Sequence, residues 1–317
     1  MSLPGTIFVQ APVIPEPPPV DPGREGVGIW LEAWDGSTWR LDSEESGLVL
    51  MRGARGFGMV SVEHYRDVHA VLPGSRWRDA RVTDREVFLP IYLYSDGTSR
   101  DWQEHNRRFW KTMRTRKDAW LYVMWPDGTQ RRIRIRYEKG GEEAFEMDPV
   151  FYGWAKYGLY FTAEQPYWED VVPQSQEWGT SEPVYFFGGG TEGPALGPPF
   201  GIAAPSTAGT TSISNPGDVE AWPVWTITGP MTSCELGVEG QTIEVPFALS
   251  SDDVLVIDTR PTAQTAMLNG TVDKTPDLGS FGFAQVEPGD DVELTVLTTG
   301  TGGLVKVELT PLYEWGI

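Results

Sequence analysis

Disulfide chemistry is nearly absent from this chain. Cys234 is its one cysteine, which excludes an intramolecular disulfide framework and any Cys-x-x-Cys knuckle. Three histidines (His64, His69 and His105), with no His-x-His or His-Glu-x-x-His spacing, supply no zinc motif and read as packed or exposed residues. His64 and His69, five apart in a strand-like run, point to opposite faces. No apolar run approaches the ~20 residues of a membrane-spanning helix. Residues 1–10 lack the basic start and long apolar core of a secretory signal, which with the lone thiol fits synthesis in a reducing cytoplasm. No Gly-x-Ser-x-Gly elbow or P-loop occurs. Gly188-x-Gly190-x-x-Gly193 has dinucleotide-fingerprint spacing, but Pro194, Pro198 and Pro199 follow it and deny a pyrophosphate its helix N-terminus.

Cations are scarce in one half only. Residues 1–156 carry 22 Lys/Arg against 23 Asp/Glu. Residues 157–317 carry three (Arg260, Lys274 and Lys306) against 22. The asymmetry predicts two domains in different surroundings, and the acidic half is a poor surface for nucleic acid.

What is present is turn-rich β structure. The 36 glycines and 26 prolines make about a fifth of the 317 residues, too many for a helical protein. Residues 1–26 hold Pro12, Pro15, Pro17, Pro18, Pro19 and Pro22 and read as an arm, either disordered in isolation or crossing to a neighbouring subunit. Residues 27–172 form a first domain. Strand 28–34 turns at Asp35-Gly36 into 38–41, and runs 59–71 and 81–94 read as further strands. The spacing predicts an amphipathic helix over 99–116, started by Thr98 and Asp101, with Trp102, Phe109, Trp110 and Met113 inward. Its outer face carries Arg107, Arg108, Lys111, Arg114 and Arg116. A hairpin follows, 119–125 and 131–137 around Pro126-Asp127-Gly128, in which Ile133 and Ile135 alternate with Arg132, Arg134 and Arg136. Regions 144–152 and 158–163 read as the closing strands. Residues 173–209 are a Gly/Pro-rich linker with one short strand at 184–187. From 210 to 317, strands at 224–227, 241–247, 254–257, 265–268, 281–284, 292–297 and 304–309 alternate with turns. That pattern predicts an antiparallel sandwich or jelly roll.

Three blocks carry a family resemblance. The first is the helix with the Trp120–Trp125 strand, Pro126-Asp127-Gly128 and the basic return strand. The second is Pro166-Tyr167-Trp168. The third runs from Asn215-Pro216-Gly217 through Thr226-Ile227-Thr228-Gly229-Pro230, Val256-Ile257-Asp258-Thr259-Arg260-Pro261 and Leu268-Asn269-Gly270 to Glu287-Pro288-Gly289-Asp290. Taken in this order the chain resembles the distal tail proteins of siphophages. The resemblance implies an N-terminal belt domain, a β-sandwich or split barrel with one helix, and a C-terminal galectin-like sandwich. It implies a structural virion protein, not an enzyme, that needs no cofactor. Its place would be the tip of a long non-contractile tail, after synthesis in the host bacterial cytoplasm. The implied partners are itself in a homo-hexamer ring, the tail tube protein, the tail-tip hub protein and the tape-measure protein, with DNA only passing through the channel. The Pro-rich start and long linker depart from a minimal member of that family.

Eleven of the 14 tryptophans fall within residues 1–178, more than one core of that size needs, and large aromatics concentrate at subunit interfaces. The basic faces formed by Arg107, Arg108, Lys111, Arg114, Arg132, Arg134 and Arg136 are candidate subunit contacts, the alternative being a solvated charged surface. A competing function is a carbohydrate-binding module with sugars stacked on Trp222, Trp225 or Trp315, against which stands ordinary core packing. A two-carboxylate hydrolase is a third reading, which sequence spacing alone cannot place. Asp252-Asp253 and Asp290-Asp291 read as turn residues in preference to calcium ligands, and Asn269-Gly270-Thr271 as a hairpin turn in preference to a glycosylation site.

Overall fold

The structure is a computed structural model and describes residues 26–43, 46–68, 73–141, 147–179, 209–289, 291–300 and 302–317. The Pro-rich arm, His69, Asp290, the glycine fingerprint and the strand expected at 184–187 lie outside the described residues.

The chain is mainly β. In its first half the elements are β1 (Gly28–Glu32), β2 (Thr38–Arg40), β3 (Leu48–Leu50), β4 (Val62–Val68), β5 (Ser75–Val82), β6 (Arg85–Tyr94), α1 (Ser99–Thr112), β7 (Asp118–Met124), β8 (Gln130–Gly140), α2 (Pro149–Tyr152), β9 (Trp154–Ala163) and β10 (Trp168–Asp170). The second half holds β11 (Gln174–Gly179), β12 (Gly209–Ser214), β13 (Pro223–Thr228), β14 (Ser233–Val238), β15 (Gln241–Val245), β16 (Val254–Asp258), β17 (Thr265–Leu268), β18 (Val272–Asp273), β19 (Ser280–Phe281), β20 (Asp291–Thr299), β21 (Leu304–Leu309) and β22 (Leu312–Tyr313).

One antiparallel sheet runs β2-β1-β7-β8-β9-β6-β3, with β10 added on β8 and β22 on β10. It curls into a nearly closed barrel. Period-two alternation drives this: Val87, Leu89, Ile91 and Leu93 of β6, Leu159 and Phe161 of β9, and Ile133 and Ile135 of β8 are at most 1% exposed. Helix α1 plugs the interior with Trp102 and Phe109, the latter edge-on to Trp39 at 5.4 Å. Its start is the expected capping box: Thr98 accepts from the Asp101 amide, and Asp101 accepts from the Thr98 amide at 2.7 Å. The helix ends four residues short of the expected limit, because Met113 leaves helical geometry and turns into the core. The 144–152 region is not a strand where it is described. Asp148 caps a single helical turn with Pro149 in its first position and Gly153 left-handed at its end, the usual grammar of a helix start and stop.

The second unit is a sandwich of two antiparallel sheets, β11-β21-β13-β16-β17-β18 and β12-β20-β14-β15-β19, around one core containing Trp225, Leu236, Leu255, Ile257, Val296, Val305 and Val307. Strand β11, which falls in the Gly/Pro-rich stretch expected to be linker, pairs along its length with β21 and sends Trp178 into that core. The chain then crosses back: β22 leaves the sandwich and joins β10 in the first sheet, Trp168 opposite Tyr313.

Candidate assembly surfaces

Four regions of the molecule bear on function. The first is the outer face of the large sheet. Register places Arg40, Trp30, Tyr122, Arg132 and Glu169 side by side on five neighbouring strands. Arg40 lies 5.3 Å over the Trp30 ring, which stacks on Tyr122 at 5.0 Å. Arg132 sits 4.4 Å over Trp120 and 3.5 Å from the Glu169 carboxylate. Burial raises the Tyr122 hydroxyl pKa, with Glu32 adding to it, so Tyr122 stays a neutral phenol. Arg134 is 3.9 Å from Asp118, while Arg136 reaches Asp118 at 2.8 Å and Glu164 at 2.7 Å, contacts that raise its own pKa. The three arginines of β8 therefore have carboxylates of their own chain, and the face is a compensated aromatic–ionic lattice.

The second is the outer face of α1. Arg107, Arg108, Lys111 and Arg114 are exposed, and among the described residues none has a carboxylate within ion-pair distance. Arg108 covers the Trp39 ring at 5.0 Å.

The third is β4–β5, which sequence reading missed as a unit. The run expected over 81–94 breaks at Thr83-Asp84: Val82 ends β5 in a separate two-stranded ribbon, and Arg85 opens β6 in the main sheet. One ribbon face carries Val62, His64, Arg66, Trp77, Ala80 and Val82, with Trp77 Nε1 donating to His64 Nδ1 at 3.3 Å. The other carries Glu63 opposite Arg81, and the Asp67–Arg78 pair. Trp77 is 58% exposed and Val68 77%. A lone two-stranded ribbon is marginal in water, and this one leaves large side chains open to solvent.

The fourth is the junction between the units. Arg85 is 3% exposed and donates to four carbonyls: Pro166 (2.6 Å), Gly56 (2.9 Å), Gly58 (2.5 Å) and Glu314 (2.7 Å). Burial lowers its pKa to about 10, against the pull of the Glu314 carboxylate, so it is charged at neutral pH. Beside it Arg131 lies 3.7 Å over Tyr313 and 4.8 Å over Trp315, and donates to the Trp315 carbonyl at 2.7 Å.

The tryptophans considered for sugar stacking do not share a face. Trp225 is 1% exposed and stacks on Trp178 inside the sandwich core, so no sugar reaches it. Trp315 packs edge-on against Trp125 of the first unit, and Trp222 is half-buried ahead of β13. At the Asp252-Asp253 turn, Asp253 accepts from the Asn269 side chain and from the Ser250 amide, which lowers its pKa. Asn269 and Gly270 both have positive φ in the β17–β18 turn. Burial pushes the Cys234 thiol up to about 12, so it is an inert core residue. Among the described residues no group of three His, Cys, Asp or Glu is placed to hold a metal.

No protein-family model matches the chain, and no curated protein sequence does. Solved structures do. The Dit protein of phage SPP1, described as a paradigm of the hub adsorption apparatus in phages that infect Gram-positive bacteria, superposes with a TM-score of 0.58 over 91% of this chain and 99% of its own, at 14% identity. The phage P2 baseplate in its activated conformation with Ca matches over 90% of this chain and 98% of that one, with a TM-score of 0.56 and 9% identity. The same baseplate with Sr gives 0.55 over the same shares. At such identities the likeness is one of fold, and it spans both units in a single alignment.

Proposed function

We propose that this chain is a structural protein of a phage tail, the distal ring that joins the tail tube to the tip assembly. One observation carries the reading: the similarity covers the barrel and the sandwich together, whereas either unit alone is a fold that serves many functions. The ring is a homo-hexamer built by the first unit, with the tube protein on one side and the hub protein on the other. The tape-measure protein ends nearby, DNA passes through the lumen, and the galectin-like sandwich faces outward. The role is mechanical, not catalytic. The exposed ribbon β4–β5 and the exposed cations Arg107, Arg108, Lys111 and Arg114 are the surfaces this assembly would use.

Native mass spectrometry of the purified protein with negative-stain imaging tests the proposal. A hexamer, or two hexamers back to back, with a central hole is expected. A monomer at every concentration, with no ring in the images, would count against it.

A further inference from the structure

The β17–β18 turn carries chemistry that a role in the tail leaves unused. Leu268-Asn269-Gly270-Thr271 is a type I′ turn: Asn269 and Gly270 have φ of 52° and 67°, and the Thr271 amide donates to the Leu268 carbonyl at 3.1 Å. Asn-Gly suits that turn because both central residues need the left-handed region. It is also the residue pair whose side-chain amide is most open to attack by its own backbone. The following nitrogen closes a five-membered ring when it bonds to the asparagine Cγ, and glycine sets no side chain in its way. At Gly270 a Cβ would meet nothing within 4 Å, and among the described residues nothing accepts from the Gly270 amide.

The fold restrains this attack through the Asn269 side chain. Its Oδ1 accepts from the Val254 amide at 2.9 Å, and its Nδ2 donates to Asp253 Oδ1 at 2.9 Å. Asp253 is itself fixed: its Oδ2 accepts from the Ser250 amide at 2.8 Å, and its own amide donates to the Ser250 carbonyl at 3.0 Å. The Asn269 amide donates to the Val254 carbonyl at 2.8 Å. Main chain and side chain together thus clasp the start of β16. For the Gly270 nitrogen to reach Cγ, both side-chain bonds must break and the Asn269 backbone must leave its turn geometry. Reaction is therefore confined to molecules in which this turn has opened.

We propose that Asn269 is a site of spontaneous deamidation, held slow by its clasp with Asp253, whose product frees the edge of β17. The Gly270 nitrogen gives up its proton to solvent base and bonds to Asn269 Cγ. The Cγ–Nδ2 bond breaks, and ammonia leaves with a proton taken from water. Water then opens the succinimide to aspartate, or to isoaspartate, in which the main chain runs through the side-chain carbonyl. In sum one water is consumed and one ammonia released, with no change of oxidation state. Aspartate puts a carboxylate oxygen where Nδ2 donated, so like charges face each other across the gap to Asp253 Oδ1. Isoaspartate adds a main-chain atom and cannot keep the I′ turn. Among the described residues β18 pairs only with β17, at the end of its sheet. Its release leaves the β17 edge unpaired, and an unpaired edge is a template for another chain. The core beneath keeps its order, because β17 stays paired with β16 and Ala266 stays buried. The site lies in the sandwich, and its chemistry does not depend on ring formation.

Peptide mapping by mass spectrometry of the full chain, aged in mildly alkaline buffer, follows the product as a gain of about 1 Da in the peptide that holds Asn269. The folded parent is expected to deamidate there at least tenfold more slowly than the same chain in urea. Asp253→Ala should speed the folded protein at least threefold, and Asp252→Ala, at the exposed neighbour in the same turn, should leave the rate unchanged. Asp253→Asn keeps an acceptor oxygen and should fall between parent and alanine variant; it takes the place of the alanine variant if that one does not fold. Asn269→Asp stands for the product: hydrogen exchange of the amides that pair β17 with β18 should quicken at least tenfold, with those of β13 unchanged. Equal rates in the folded chain and in urea would overturn the clasp, as would a folded Asp253→Ala protein no faster than the parent. An Asn269→Asp protein that exchanges as the parent does would overturn the freed edge.

Discussion

Replacing Arg85 with methionine keeps the length and apolar stem of the side chain and removes its donors. Four carbonyls lose their partner, but not equally. Gly58 is exposed and Gly56 and Glu314 are half-buried, so their oxygens regain water in part, while Pro166 is buried and its carbonyl does not. Taking the Pro166 acceptor as fully orphaned, at about 1–3 kcal/mol, and the Gly56 and Glu314 acceptors as each losing about half of that, the cost is about 4 kcal/mol. At about 2–4 °C per kcal/mol for a unit of this size, the melting point of the first unit falls by about 10 °C. Tryptophan fluorescence follows it well, since 11 of 14 tryptophans lie within residues 1–178. Limited proteolysis reads the second consequence: residues 312–317 lose the grip on the Glu314 carbonyl and become cleavable first. Arg85→Lys keeps the charge but not the planar fork, and should fall between the two. A methionine variant that melts within about 2 °C of the parent and keeps residues 312–317 protected would refute the reasoning, which takes desolvated hydrogen bonds as the source of the cost.

Three further outcomes are expected. Trp225→Ala should destabilise the sandwich by about 3–5 kcal/mol in urea unfolding, because a fully enclosed ring is lost from the core. Thr98→Ala should cost about 1 kcal/mol of stability through the lost cap. Asp101 in that cap has a lowered pKa from its Thr98 hydrogen bonds, so its contribution is whole above pH 3.8 and fades as the pH drops through the folded value. Burial lowers the His105 pKa below 6.5, opposed by a hydrogen bond with the Gly47 backbone, so the unfolded chain takes up that proton first. Stability from this group is complete above pH 6.5 and declines as the pH falls through the folded value; His105→Phe should flatten that slope in melts between pH 7 and 5.

Strong local chemistry made most of the fold legible. The capping box at Thr98 and Asp101, the Asp35-Gly36 and Pro126-Asp127-Gly128 turns, and the alternation of Ile133 and Ile135 with arginines each fix an element by short-range rules. Strands β17 and β21 fall on the expected residues. Elements whose pattern depends on distant partners were not legible. Strand β14 buries Cys234, Leu236 and Val238, but Glu235 and Gly237 dilute its apolar signal until β15 and β20 flank it. Strand β5 buries nothing, so Arg76, Arg78 and Asp79 carry no strand pattern in the sequence. The candidate surfaces divide the same way. Sequence placed Arg132, Arg134 and Arg136 on one face but could not see Glu169, Asp118 and Glu164 brought beside them from other strands. Nor could it see Trp225 enclosed by Trp178, 47 residues earlier in the chain.

The return of β22 to the first sheet has a consequence for biosynthesis. The strands of the barrel through β10 emerge from the ribosome about 140 residues before Leu312 and Tyr313 do. At ~5–20 residues per second, that is an interval of roughly 7–30 s. Throughout it Arg85 and Arg131 await the Glu314 carbonyl and the aromatic pair Tyr313 and Trp315. A chain cut short inside the sandwich therefore carries a barrel that lacks its last strand and leaves Arg85 and Arg131 without those partners.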